Sequence, residues 1–140
     1  MLTKQKGAIA EQAVALAALK RGYGVSTPLG DYLPYDLILD VTGNLFKVQV
    51  KSAWWDDKKE NYVVDNRRTR TNRRQMLRAN YAENDFDFAI LFIPKLEVFY
   101  ILPAADFNSF GSEIHLVESI KRQRAPRSAE FREAWDLLEL

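Results

Sequence analysis

Residues 34–53 read PYDLILDVTGNLFKVQVKSA, and the fold of the chain turns on how they pair. Successive side chains of a strand point to opposite faces, so Leu37, Leu39 and Val41 share one face while Asp36, Ile38 and Asp40 take the other. In the following run Phe46, Val48 and Val50 point one way and Lys47, Gln49 and Lys51 the other. Between the runs, VTGN supplies turn residues, the pattern of a β-hairpin. Joining the two apolar faces fixes the parity of pairing, because a slip of one residue would bury charges and expose Leu and Val. Two registers survive. A turn at Thr42-Gly43 sets Asp36 opposite Gln49; a turn at Gly43-Asn44 sets Asp36 opposite Lys51. Either way a carboxylate, an amide and an ammonium cluster, since opposed β-carbons lie about 4.5–5.5 Å apart.

Upstream of the hairpin, good helix formers run from Thr3 to about Arg21, with Ile9, Ala13, Leu16 and Ala17 at helical spacing. Gly22-Tyr23-Gly24 then offers the positive φ that ends a helix. A short strand is expected at Val25–Thr27. Downstream, Tyr62–Val64 reads as a strand. Phe86–Ile93 and Val98–Leu102 flank Pro94-Lys95-Leu96-Glu97 as a second hairpin that completes the sheet. Beyond Pro103 the pattern weakens until a final helix, Ser128 to about Leu138, capped by Ser128. Its Phe131, Trp135 and Leu138 could form a subunit interface or close the chain's own core. With 140 residues, one domain spanning 1–140 is expected.

The composition narrows the chemistry. There is no cysteine and a single histidine, His115, so disulfides, zinc ribbons, iron–sulfur clusters and thiol nucleophiles are out. Any metal must take oxygen ligands. His115 has no catalytic partner in the sequence and reads as a surface or packing residue. No apolar run is long enough for a membrane span, and the N-terminus lacks a signal-peptide pattern, so a cytoplasmic protein that avoids membranes is expected.

A net charge of +1 hides an uneven distribution. Residues 67–78, RRTRTNRRQMLR, hold Arg67, Arg68, Arg70, Arg73, Arg74 and Arg78 with no acid among them, and the rest of the chain is net acidic. The segment has too few apolar positions for a core and is expected to be a loop or exposed helix that contacts DNA. Some arginines would grip phosphate and others would read guanine edges. Lys121, Arg122, Arg124 and Arg127 form a smaller basic group. Trp54 and Trp55 are adjacent; if the strand continues, one packs in the core and the other lies on the active-site side.

Phosphodiester hydrolysis is the chemistry that uses an acid, an amide and an amine in one small volume. Asp36, with the neutral oxygens of Gln49 and Val50, can hold Mg²⁺, which prefers octahedral oxygen coordination and can polarise a phosphate and acidify a water. Lys51 can orient or help deprotonate the attacking water, or stabilise charge on the phosphorane oxygens. A further acid would strengthen the site. Glu11 suits that part, mid-helix among alanines that let the helix approach the sheet.

KGAIAE at 6–11, PYD at 34–36 and QVK at 49–51 resemble the PD-(D/E)XK nuclease superfamily, the fold of many restriction enzymes and junction resolvases. More narrowly, the Glu11 helix, GYGVSTPLGDYLPYDLILD, FKVQVKSA and DFDFAILFIP are similar to small PD-(D/E)XK homing endonucleases of cyanobacterial group I introns and their bacterial relatives, over roughly residues 5–103. The resemblance implies a restriction-endonuclease-like α/β fold, a mixed sheet flanked by helices with an αβββαβ core. It also implies divalent-metal-dependent cleavage of double-stranded DNA and a homodimer or homotetramer that brings two active sites to two strands. Asp36 matches the metal-binding Asp, Lys51 the catalytic Lys and Glu11 the helical acid. Gln49 departs from the Asp or Glu usual in the superfamily; its amide oxygen can ligate Mg²⁺ but brings no charge and cannot act as a base. The alternatives are a Holliday-junction resolvase or repair nuclease of the same fold, and a non-catalytic nucleic-acid-binding module.

Overall fold

The computed structural model describes residues 1–71, 76–79, 81–82, 84–119 and 125–140, with the side chains of 68–71 and 76–79 outside the description. Helix α1 (Thr3–Lys20) opens the chain, followed by strands β1 (Gly24–Ser26), β2 (Leu37–Val41) and β3 (Asn44–Ser52). Next come β4 (Trp54–Asp56), β5 (Asn61–Asp65), β6 (Arg68–Thr71) and β7 (Met76–Ala79), then β8 (Phe88–Ile93) and β9 (Val98–Pro103). Helix α2 (Ala104–Ser109) and β10 (Glu113–Leu116) precede two 3₁₀ turns, Ala129–Phe131 and Trp135–Glu139.

The hairpin settles into the first of its two registers: Leu37 pairs with Val48 and Val41 with Asn44, leaving Thr42-Gly43 as the turn. Both turn residues have positive φ, 51° and 93°, as a turn matched to strand twist requires. The Asp40 carboxylate accepts from Gly43 N at 2.9 Å and steadies the bend. Leu37, Leu39, Val41, Val48 and Val50 are buried together under Ala10, Val14 and Ala18 of α1, as the parity argument requires.

β3 then pairs parallel with β8, and β8 pairs antiparallel with β9, giving a mixed sheet in the order β1-β2-β3-β8-β9. β8 lies between β3 and β9, and its unbroken apolar run suits a strand covered on both faces. Ile90 and Phe92 face α1, while Ala89, Leu91 and Ile93 belong to a second core with Phe86, Phe107, Ile114 and Leu116. That second layer contains the small antiparallel sheet β10-β5-β4 and α2.

Several expectations are corrected. The connection from β3 to β8 runs through β4–β7 and, among its described residues, contains no helix, so the αβββαβ order is met without its second helix. The buried stripe of α1 is Ala10, Val14 and Ala18 with Ala13 and Ala17 alongside; Ile9 and Leu16 are largely exposed, because small side chains let the helix sit close to the sheet. Gly22 has the positive φ of a helix stop at 84°, whereas Gly24 lies in β1, where a Cβ would come within 3.1 Å of Asp40 Cβ. Residues 68–71 and 76–79 are strands, neither loop nor helix: β6 and β7 pair as an antiparallel ribbon, Arg68 with Ala79 and Thr71 with Met76.

The C-terminal segment is two 3₁₀ turns rather than one helix, and Ser128 makes no cap; its hydroxyl donates to the His115 carbonyl at 2.7 Å. Of the two roles left open for Phe131, Trp135 and Leu138, all three are buried in the chain's own cores. β3 stops at Ser52, so Trp54 and Trp55 belong to the small sheet. Both are about half exposed, and both line one hollow with Met1 and Ile9; neither is a core residue.

Candidate active site

Where β2 starts, β3 runs on past it, still paired with β8 on its other edge, and the site is built in the gap left on the β2 side. Asp36 N donates to Val48 O at 2.8 Å, the last backbone rung between the strands. The next inward-facing donor on β3, Val50 N, has no strand opposite, and the Asp36 carboxylate takes its place: Oδ2 accepts from Val50 N at 2.8 Å. The same oxygen accepts from Gln49 Nε2, also at 2.8 Å. The acid is therefore held against the edge of the sheet by β3, the strand that runs on past it.

Gln49 and Lys51 sit beside Ala89 and Leu91 in the parallel register, which places them on the second-layer face. Glu11 arrives from α1 on the other face, near enough for its carboxyl to interact with that of Asp36. Burial first, then the charge of Asp36 and hydrogen bonding to it, push the Glu11 carboxyl up to about 7. Asp36 is also raised, by burial, against the opposing pull of the Val50 N–H, the Glu11 hydrogen bond and the Lys51 charge. Without a metal both carboxyls are therefore shifted toward the protonated form.

Glu11, Asp36, Gln49, Val50 and Lys51 are brought together, but around Asp36 rather than around one shared hollow. A cleft of about 420 Å³ reaches Glu11 and Asp36 between α1 and the loop at Thr27–Leu33, while Gln49 and Lys51 meet Asp36 from behind it. Lys51 Nζ donates to the Arg67 carbonyl at 3.0 Å and lies 5.2 Å from the centre of the Tyr81 ring. Sequence reasoning missed Tyr81: it stands 30 positions beyond Lys51 and carries no local signal.

Among the described residues no group of three His, Cys, Asp or Glu side chains could hold a metal. The oxygen donors nonetheless fit a hard divalent cation. Two half-buried acids side by side invite a positive charge, and Gln49 Nε2, which donates to Asp36, also lies 3.3 Å from the Val50 carbonyl. A half turn of the Gln49 amide about its terminal bond would bring its oxygen to a cation placed between it and Asp36.

Arg67 is partly buried; its Nε is fully buried and has no hydrogen-bond partner among the described residues. Arg68, Arg70 and Arg78 lie on the ribbon backbone, their side chains outside the description; Arg73 and Arg74 fall outside the described residues, as do Lys121, Arg122 and Arg124. Arg127 stacks on Phe110 at 4.1 Å. His115 Nδ1 faces Asn61 Oδ1 at 3.4 Å, a packing position away from the site.

An acid and a lysine at this strand-edge gap, in a mixed sheet backed by α1, define a nuclease fold, and the sequence agrees. The profile of the PD-(D/E)XK endonuclease family matches residues 1–138, and the chain belongs to that family. Among solved structures, it is similar to the bacterial homing endonuclease I-Ssp6803I, at 60% sequence identity, with 99% of this chain and 93% of that one covered and a TM-score of 0.93. The match extends past residues 5–103, the stretch that carried the resemblance. No curated protein matches the sequence. No helix among the described residues is long and apolar enough to cross a membrane.

Proposed function

We propose that this chain is a site-specific DNA endonuclease of the homing type, a single catalytic domain that hydrolyses one phosphodiester per subunit of double-stranded DNA. The observation that carries the reading is the Asp36 carboxylate locked into the sheet edge by Val50 N, with Gln49, Glu11 and the Lys51 charge all directed at it. Full-length likeness to a homing endonuclease supports the same reading.

Asp36, Glu11, the Val50 carbonyl and the Gln49 amide oxygen would hold Mg²⁺. Bound there, the ion supplies Lewis acidity to the phosphate and acidifies water. For metal to enter, Glu11 must release its proton, leaving both carboxylates ionised. Lys51 donates hydrogen bonds toward the attacking water or a non-bridging phosphate oxygen, and its charge offsets the negative charge that builds on the phosphorane. Water oxygen bonds to phosphorus as the bond to the 3′-oxygen breaks, leaving 5′-phosphate and 3′-hydroxyl ends.

The arginine ribbon serves as the DNA contact, with Arg67, Arg68, Arg70, Arg73, Arg74 and Arg78 as its cations. The absence of any acid among residues 67–78 favours this assignment, since phosphates would balance those cations. A double-strand break needs a second active site, supplied by a homodimer or homotetramer. The work is cytoplasmic, where the DNA substrate is.

Purified protein incubated with plasmid and intron-insertion substrates, with and without Mg²⁺, tests the reading. Discrete linear fragments are expected, falling about 10²-fold or more in Asp36→Ala and Lys51→Ala. Cutting that survives both substitutions would falsify the site, and selective cleavage of four-way junctions would reassign the activity to resolution.

A further inference from the structure

We propose that the two feet of the arginine ribbon hold the Lys51 ammonium for the cleavage step, so that Tyr81 is a positioning residue tying the DNA-contacting ribbon to the reacting phosphate. The inference rests on the nuclease reading above. The ribbon's first pair is Arg68 with Ala79, so Arg67 and Tyr81 are where its strands leave the body of the protein. Both meet Lys51: the Arg67 carbonyl accepts from Nζ at 3.0 Å, and the Tyr81 ring centre lies 5.2 Å from Nζ.

These feet are themselves anchored. The buried Asn66 side chain donates to the Phe110 carbonyl at 3.0 Å, and Asn66 N donates to Ser112 O at 3.2 Å. Arg67 N donates to Asp65 Oδ1 at 2.8 Å. Tyr81 is 8% exposed, its ring edge-on to Phe86 at 5.0 Å and to Phe107 at 6.0 Å, so its face cannot swing away without opening the second core.

The chemistry of these partners suits a lysine that must stay charged and stay available. A carbonyl and a ring face attract an ammonium without neutralising it, and so hold Lys51 beside Asp36 with its charge intact for the phosphate. An unrestrained lysine stem has several rotatable bonds and would spend little time aimed at one oxygen. Because the restraint sits at the ends of the ribbon, the groups that contact DNA and the groups that aim Lys51 adjoin along the chain.

The test compares Tyr81→Leu and Tyr81→Phe with wild type, reading the single-turnover cleavage rate at saturating DNA and Mg²⁺ and, separately, the DNA dissociation constant without divalent metal. Tyr81→Leu is expected to slow cleavage about tenfold with DNA affinity held within about twofold, and Tyr81→Phe, which keeps the ring face, to restore the rate. Leu116→Ala, a truncation in the same core away from Lys51, supplies a folded but destabilised control that should cleave at the wild-type rate. Tyr81→Leu cutting as fast as wild type, or Leu116→Ala slowing as much as Tyr81→Leu, overturns the positioning role while leaving the nuclease intact. A wild-type chain that cuts no DNA refutes the nuclease reading itself.

Discussion

Replacing Glu11 by Gln should make the metal-free protein more stable above neutrality and leave it unchanged in acid. Glu11 is raised from an ordinary 4.5 to about 7 in the folded chain. Between those values the folded state holds a proton that the unfolded state has released, so unfolding free energy falls as pH rises through that window. For a fully buried acid the displacement corresponds to about 3 kcal/mol; Glu11 keeps part of its surface in solvent, and screening reduces the expected penalty to about 1–2 kcal/mol. Glutamine keeps the donor to Asp36 and has nothing to lose. Urea unfolding in chelator, at half-unit steps from pH 4.5 to 8, should show Glu11→Gln matching wild type at the acid end and exceeding it by about 1–2 kcal/mol at the other. In a thermal scan this is about 3–7 °C for a chain of 140 residues. Parallel curves for the two proteins, with no divergence between pH 5 and 7, would mean that Glu11 does not share a proton with Asp36, and the account of the site would fail.

Three other outcomes follow from the same geometry. Gln49→Glu adds a third carboxylate beside Asp36, so calorimetric affinity for Ca²⁺ or Mg²⁺ should rise, while without metal the protein should lose about 1–3 kcal/mol of stability at pH 8 from the unpaired charge; unchanged metal affinity would remove Gln49 from the ligand set. Replacing Arg73 and Arg74 together with Ala should weaken DNA binding and flatten the slope of log K against log salt by about 2, read by anisotropy; an unaltered slope would give the ribbon another task. Trp135 is 2% exposed, packed edge-on to Phe99 at 5.4 Å and beneath the Arg21 guanidinium at 4.7 Å. Trp135→Ala should therefore cost about 3–5 kcal/mol in urea unfolding while leaving the mass distribution in light scattering unaltered; a shift toward smaller species would return this segment to a subunit interface.

Gln49 and the C-terminal segment mark opposite ends of what periodicity can convey. The alternation in residues 37–51 carries its own instruction, because a slip by one would invert buried and exposed faces, and Leu37, Leu39, Val48 and Val50 lie together as that rule demands. The choice between the two allowed registers was not in the alternation, since both keep the apolar faces joined; the two-residue turn with positive φ at Thr42 and Gly43 decides it. In the C-terminal segment, Phe131, Trp135 and Leu138 carry a helical spacing that the backbone does not follow. Glu133, with a φ of 49°, breaks the run, and its N–H and carboxylate bond to β9 instead. Local propensity there yields to a docking edge supplied by residues more than 30 positions away.

Pairing parity, the second hairpin, the basic segment and the identity of the acid, amide and amine were written in the sequence, because alternation, hydrophobicity and charge are properties of neighbours. How those groups meet was decided only by the tertiary structure. Asp36 gains its hold on Val50 because β3 continues past the start of β2, Glu11 reaches it because alanines let α1 lie close, and Lys51 is aimed by Arg67 and Tyr81 because the ribbon's ends fold back onto the second core. Contacts of this kind join distant segments across the faces of a sheet, and no local pattern along the chain encodes them.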